Sequence, residues 1–434
     1  MRVVFGFRLG PASGLAAGLG LLALGLPWLE LRPSRIAPGE PFGVWSWQSD
    51  WPWVLLALWL ATALSRGRWQ GVWLGATLLL WGWLVGQGAE ALLSPYSQSA
   101  RVSPGAGFWL SLLGLYVGYF AAWHEGRGWA LLSGPLALAV LLWWGVFERL
   151  GPFLELEAWR EQFTTELWRH LSLSTSAVVL ALVLGIPLGV LAARGPRFSW
   201  VLGAMGFLQT IPSLALFGLL LPLLADLSQA MRLEVALALL VAGAAVFRLL
   251  WAVSRWLAVL LALPLGLLAL VMAGVWLNAL LGPDPLRLEL RAPLQESGIR
   301  GIGVAPAVLA LTLYALLPVV LNVYTGLRGV PEAARDAGRG MGMSPQQLFW
   351  RVELPLALPL VLEGVRGAAT LTIGITTVAA LIGAGGLGFF ILRGVEGGAP
   401  DMVLLGAIPI ILLALLMDTL LRWAGLVLRQ KLGV

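Results

Sequence analysis

The sequence predicts an all-α integral membrane protein with about 12 transmembrane helices. Of its 434 residues 59% are hydrophobic and only 12% are charged. A soluble domain carries about a quarter charged residues, and the mean hydropathy here is +0.87. The apolar residues also fall in runs of spanning length, roughly 20 residues each. These runs are 12–30, 51–65, 70–93, 107–123, 128–147, 170–192, 200–225, 233–250, 256–281, 304–326, 360–383 and 402–425. The second is the shortest.

Arg2 and Arg8 precede the first run as in a signal peptide, but no Ala-x-Ala cleavage site follows. The run closes on Pro27-Trp28-Leu29-Glu30 and is read as a retained spanning helix. Tryptophan then divides the chain, because 17 of 23 lie before residue 169. Trp45, Trp47, Trp51, Trp53, Trp81, Trp83, Trp143 and Trp144 fall near helix ends, as interfacial belts require. The competing reading is a ligand-binding aromatic cage. Residues 1–150 are therefore expected to be an accessory region of about five helices. Residues 151–169 mix charges with aromatics and read as an amphipathic surface linker. A core follows over 170–428, in which 226–300 reads as an inserted hairpin and a Pro-rich outer loop. Gly14/Gly18, Gly114/Gly118 and Gly185/Gly189 have the spacing of close helix contacts.

Threading the runs alternately from a cytoplasmic N-terminus places 17 of the 28 basic residues inside, the sign expected for a cytoplasmic membrane. Both termini are then cytoplasmic. The net charge of +6 bears on orientation and contact with the lipid bilayer, not on nucleic acid. Cysteine is absent and histidine occurs only at 124 and 170, which excludes disulfides, thiolate chemistry and His-rich metal sites.

One stretch interrupts the apolar pattern. Residues 336–355, DAGRGMGMSPQQLFWRVELP, read as two short helices with a hinge. Ser344-Pro345 is a helix start, and Gly340 and Gly342 precede it where the chain changes direction. Pro355 and Pro359 are expected to close the segment against the next membrane helix. The same threading puts this projection in the cytoplasm.

This stretch resembles the coupling loop of type I ABC importer permeases, whose pattern is Glu-Ala-Ala, three residues, Gly, nine residues, Ile, one residue, Leu-Pro. Asp336, Ala337, Gly338, Gly342, Val352, Leu354 and Pro355 fall in that register. Asp replaces Glu and Gly338 replaces the second Ala. Glu332-Ala333-Ala334 spells the family letters about one turn too early. Residues 171–194, 207–223 and 301–394, with QTIPS, LYALLP, NVYTGL and IGAGGLG, are similar to permeases for glycine betaine, choline and related osmoprotectants. Leu321 departs from that pattern, which carries a basic residue before Asn322. The resemblance implies a type I importer core and three partners: ABC ATPase subunits, an extracytoplasmic substrate-binding protein, and a second permease copy or homologue. It also implies that this chain binds no cofactor and that ATP-Mg sits on the ATPase.

Polar residues within the apolar helices are the candidate pathway. Gln209, Thr210, Pro212 and Ser213 form a proline-broken patch, and lipid penalises such groups unless they pair or face a cavity. Tyr314, Pro318, Asn322 and Thr325 share one helical face. Pathway lining and helix–helix contact both fit such a stripe. Thr372 and Thr376 lie nearly opposite Thr370, Gly374 and Thr377, and threonines can also bond back to carbonyls one turn earlier. Gly383, Gly385, Gly386 and Gly388 make a glycine-rich turn. No Lys-Ser/Thr follows it, so it is read as a gate hinge and not a phosphate cradle. Glu363/Arg366 and Asp418/Arg422 are spaced for structural ion pairs.

HExxH, GxSxG and GxxxxGK[ST] are all absent, so the chain is expected to be a transport subunit without its own ATPase site. The alternatives are a permease for another small solute, such as an amino acid or sulfonate, and a self-contained secondary transporter. The latter is disfavoured by the lack of an inverted repeat. A membrane enzyme would need catalytic residues that the sequence does not supply.

Overall fold

The computed structural model describes residues 11–47, 50–65, 68–93, 99–124, 131–195, 200–285 and 288–432. Arg2, Arg8, Arg66, Arg127 and Arg197, which enter the charge count, lie outside them, as do residues 128–130 of the fifth expected span. The chain divides into two units, Met1–Arg160 with Arg393–Leu405, and Glu161–Leu392 with Gly406–Val434.

Nine helices among the described residues are long and apolar enough to cross a membrane. Three of the 12 expected spans are instead shorter apolar helices, Ala12–Ala23, Trp51–Leu64 and Ser133–Trp143. The run 12–30 is cut because helix α1 (Pro11–Ala23) stops before Gly25 and Pro27. The chain continues as strand β1 (Pro27–Arg32), the centre of an antiparallel sheet with β2 (Glu40–Gly43) and β3 (Arg101–Pro104) in the order β2-β1-β3. Hydropathy alone does not reveal this sheet. Trp28 is fully buried, and its indole N–H donates to the Ala23 carbonyl at 2.8 Å, capping the helix it follows.

In the first unit α1 packs against α2 (Trp51–Leu64) and α4 (Ala106–His124), while α3 (Arg68–Leu93) packs against α2, α4 and α5 (Ser133–Trp143). Gly114 admits the α1 backbone, since a Cβ there would lie 2.8 Å from the Ala16 carbonyl. The GxxxG spacing in α4 therefore marks a real close approach. Residues 151–158 have one buried and one exposed face, with Phe153, Glu157 and Ala158 exposed. They form α6 (Gly151–Ala158), in which Gly151, Pro152 and Glu155 are buried. Two guanidiniums draw Glu155 inward, Arg35 Nε at 2.7 Å and Arg101 Nε at 3.0 Å. Ser103 Oγ donates to Asp401 Oδ2 at 2.9 Å within the same unit.

The second unit begins with α7 (Arg160–Ala193), which absorbs residues 160–169 as its first turns. The run 200–225 breaks into α8 (Trp200–Thr210) and α9 (Ser213–Ala230), because a residue before proline is pushed out of the helical region. Next come α10 (Leu233–Val253) and α11 (Arg255–Leu281), which pair as a hairpin. Only 11% of the apolar window of α10 is buried by the chain itself. The stretch after α11 is clipped back to α10 by Leu233 N–H to Ala292 O and Glu234 N–H to Leu290 O, at 3.2 and 2.9 Å. The centre of the unit is α12 (Val304–Arg328), 72% buried over its apolar window. It crosses α15 (Leu354–Ala379) closely at Gly364, where a Cβ would lie 2.9 Å from the Pro318 carbonyl. Gly185 and Gly189 of α7 lie equally tight against Val319 and Val323 of α12. After α15 come α16 (Gly388–Glu396) and α17 (Pro400–Leu432).

Candidate functional site

Between α12 and α15 the chain forms α13 (Glu332–Gly340) and α14 (Pro345–Leu348). The turn joining them is set by Gly342, the residue with φ +75°. Its N–H donates to Arg339 O at 2.9 Å, and the next N–H, of Met343, donates to Gly338 O at 3.2 Å. This pair of bonds is a Schellman closure, which favours glycine at that position. Ser344 then starts α14 with a reciprocal capping box to Gln347. Gly338 is buried, and a Cβ there would lie 2.6 Å from Leu348 Cδ1, so α13 and α14 touch through it. Asp336, Ala337 and Gly342 are exposed, while Val352, Leu354 and Pro355 are half-buried.

Pro355 and Pro359 do not end a segment here. Phe349–Glu353 form one wide π-type turn, and the helix runs from Pro345 to Ile382 without a gap. Pro355 comes just after the wide turn, where the regular α-helical hydrogen-bond pattern is already interrupted. The projection is thus mechanically continuous with a core helix.

Arg335, which sequence reasoning passed over, ties the arrangement together. Its Nε donates to Glu353 at 2.9 Å, Nη1 to Glu332 at 3.0 Å, and Nη2 to the Leu327 carbonyl at 2.6 Å, near the end of α12. One side chain therefore links α12, α13 and the entrance to α15. Desolvation opposes its charge, but the hydrogen bonds to Glu332 and Glu353 outweigh it and raise its pKa above the ordinary value. Glu332, outside the motif register, is held below the usual carboxylate range by hydrogen bonds from Arg335 and Arg339.

The polar patch and stripe do meet. Tyr314 Oη donates to the Ile211 carbonyl, which lies at the break between α8 and α9, and Gln209 Nε2 donates to Tyr314 O at 3.4 Å. Gln209, Pro318, Asn322, Gly367 and Thr370 line an open groove of about 600 Å³ beside Leu317, Leu321 and Leu371. Tyr314 is buried and, like Thr210, Pro212, Ser213 and Thr325, does not line it. Thr372 and Thr376 are corrected: both are buried, with hydroxyls bonded to Ala368 O and Thr372 O of their own helix. The threonine that reaches the groove is Thr370.

At the far end of α12 and α15, Gly383, Gly385 and Gly386 have φ of +75°, +79° and +89°. Gly388 is required for close approach, since a Cβ there would overlap the Thr377 carbonyl. The turn is held, not loose. Glu166, 2% exposed, accepts the Gly386 N–H at 2.6 Å and pairs with Arg169 at 3.0 Å, which in turn pairs with Asp284 at 2.8 Å. Arg169 and Asp284 border a polar cavity of about 360 Å³ with Asn278, Glu296 and Arg300. The predicted ion pairs also join, because Arg366 contacts both Glu363 and Asp418, and Asp418 contacts Arg422.

A helical membrane subunit whose core helices lead into a two-helix projection at one end is the architecture of a transporter's membrane component. Residues 185–430 match the family described as binding-protein-dependent transport system inner membrane component, and the chain belongs to that family. Residues 8–156 match a second description, the N-terminal domain of the ABC transporter permease YehY. Similar proteins include the osmoprotectant import permease protein OsmW of Salmonella typhimurium, 36% identical over 61% of this chain and 90% of that protein. The carnitine transport permease protein OpuCB of Listeria monocytogenes is 30% identical, over 58% of this chain and 82% of its own length. The glycine betaine/carnitine/choline permease OpuCD of Bacillus subtilis is 31% identical, over 59% and 80%. An inward-facing crystal form of the MetNI methionine ABC transporter aligns with 64% of this chain and 98% of its own, at 18% identity and a TM-score of 0.41.

Proposed function

We propose that this chain is the permease subunit of an ATP-driven importer for a small quaternary-ammonium osmoprotectant such as glycine betaine or choline. The observation that carries the mechanism is the rigid connection of the 332–355 projection to α12 and α15 through Arg335 and the wide turn at Phe349–Glu353. The substrate class rests on what the similar permeases are named for. Separate ATPase subunits, which hold ATP-Mg, dock on the projection. Their closure pushes α13 and α14, and the stroke passes into the two helices that border the groove. A substrate-binding protein delivers the solute at the opposite end, near the glycine turn. The groove beside Gln209, Asn322 and Thr370 carries it against a second permease copy or homologue. Uncharged dipoles there replace lost water without trapping a zwitterion. Residues 1–150 form an accessory module, and both termini lie on the cytoplasmic side of the inner membrane.

Reconstitution tests the reading. The chain, with a partner ATPase and binding protein in vesicles, takes up labelled glycine betaine or choline only when ATP is supplied. Uptake driven by an ion gradient without ATP would replace this reading with a secondary transporter.

A further inference from the structure

The transport mechanism gives the first unit no task, yet a buried cluster in that unit grips a late segment of the chain. Both α16 and α17 change units along their length. Arg393–Leu405, which holds the end of α16, the corner and the start of α17, belongs to the first unit, and the residues on either side belong to the second. The corner is stiff. Gly398, at φ +60°, closes it, with the Ala399 N–H on Gly394 O at 2.8 Å and the Gly398 N–H on Val395 O at 3.3 Å. A Cβ on Gly394 would lie 2.6 Å from the Val403 nitrogen, so the two helices meet backbone to backbone.

Asp401, 4% exposed, is where this corner is held. Ser103 Oγ of β3 donates to its Oδ2, and the start of α6 closes over it, because a Cβ on Gly151 would overlap the carboxylate. Arg35 and Arg101 pair with Glu155, which leaves Ser103 as the one hydrogen-bond donor to Asp401 among the described residues. Asp401 Oδ1, Glu155 Oε2 and Arg32 Nε are buried there without a partner. A buried network that is only half satisfied costs free energy, and the cost is relieved when its members reach water. Such a clasp is poised to release, unlike a permanent apolar contact. Further along α17, a Cβ on Gly406 would lie 2.7 Å from the carbonyl of Leu387, beside the glycine turn. The helix that the clasp holds is therefore the helix against which that turn packs.

We propose that the first unit is an autoinhibitory brake: by gripping the start of α17 through Asp401, it holds the glycine turn in its resting position. The proposal rests on the ATP-driven importer reading of the second unit. When substrate-loaded binding protein engages the core, α17 shifts and Asp401 leaves Ser103 and the start of α6. The freed carboxylate gains water in place of one hydroxyl, so release is opposed by little.

The test uses the full chain assembled with its partner ATPase in nanodiscs, and ATP hydrolysis is measured without binding protein. Gly151→Ala is the cleanest lesion, since the nearest atoms its Cβ would meet all belong to Asp401. It should raise hydrolysis about fivefold or more, the lower range of coupling between sites, and Ser103→Ala should act in the same direction. Asp401→Ala should also raise it, and adding Gly151→Ala to that variant should change nothing further, because the carboxylate it displaces is gone. A second arm closes the clasp covalently in vesicles. The chain has no native cysteine, so Ser103→Cys with Asp401→Cys can be joined by a short reducible thiol linker. Linking should lower uptake about fivefold or more, and reduction should restore it. Hydrolysis at or below the wild-type rate in both Gly151→Ala and Ser103→Ala overturns the proposal, as does unimpeded uptake by the linked protein. Should the point variants fail to assemble with the ATPase, the linked pair decides. A wild-type complex that neither hydrolyses ATP nor takes up solute would instead sink the importer reading, so the two ideas fail separately.

Discussion

Glu166 Oε2 accepts the backbone N–H of Gly386 at 2.6 Å, joining residues 220 positions apart. The same carboxylate reaches Arg169 through its other oxygen. A left-handed glycine turn is thereby fastened to α7, at the end of the core opposite the 332–355 projection. Glu166→Ala should release the turn at a cost of about 1–3 kcal/mol, the range for leaving a buried partner unmade. A drop of several degrees in the melting temperature of detergent-solubilised protein is the expected reading. Gly385→Ala should act in the same direction, because its Cβ would lie 2.7 Å from Glu166 Oε2 in a conformation alanine disfavours. A wild-type melting temperature in both variants would mean that the turn is not held by this carboxylate.

Gly342 and Gly338 differ in kind, and their substitutions should separate. At Gly342 a Cβ would meet nothing within 4 Å, so Gly342→Leu strains only the backbone, by about 1–2 kcal/mol. It should reorient α14 relative to α13 and uncouple ATP hydrolysis from uptake, with normal amounts of protein in the membrane. Gly338→Leu instead drives a side chain into Leu348 and should lower the membrane level as well. Unchanged uptake in Gly342→Leu would remove this turn from the coupling stroke.

Arg335 carries the connection between projection and core, so Arg335→Ala should loosen it while leaving each helix formed. Losing the hydrogen bonds to Leu327 O and Glu353 costs about 1–2 kcal/mol, which reduces the docked population roughly tenfold. Stimulation of the ATPase by substrate-loaded binding protein should fall accordingly. The Glu332 partner adds a pH dependence with a defined sign. Its folded pKa is depressed, so its contribution is present above the ordinary carboxylate pKa and is lost as pH falls through the folded value. Coupling should therefore be flat through neutral pH and weaken only in acid, and Glu332→Gln should remove that acid limb.

The range of the interactions involved decides which features the sequence discloses and which it hides. The turn at Gly342 and the start at Ser344 are legible because a left-handed residue and a capping box are settled within a few residues. Arg335 is not, because nothing local separates it from neighbouring arginines, and its meaning lies in Leu327 and Glu353 on other elements. Glu166 is hidden for the same reason. The small sheet escapes a sequence reading because Trp28, Leu29 and Leu31 extend an apolar run, and hydropathy cannot see that Gly25 and Pro27 end the helix. For α15 the 3.6-residue period separates Thr370 from Thr372 and Thr376 correctly. Periodicity does not say which face a neighbouring helix covers, and α12 settles that.

The absence of cysteine makes the groove directly testable. Single cysteines at Gln209, Asn322 and Thr370 should react with small polar thiol reagents, because these side chains border the open groove. Cysteines at Thr372 and Thr376 should stay inert in the resting protein, since both positions are 1% exposed or less. A cysteine at Tyr314 should react slowly and should also destabilise the break between α8 and α9, because the Ile211 carbonyl loses its donor. Adding substrate-loaded binding protein and ATP should change the rates at 209, 322 and 370 if the groove alternates its access. Labelling at 372 and 376 that exceeds labelling at 370 would reverse the assignment of faces on α15. Rates at 209, 322 and 370 that stay constant through turnover would place the pathway on another surface of the core.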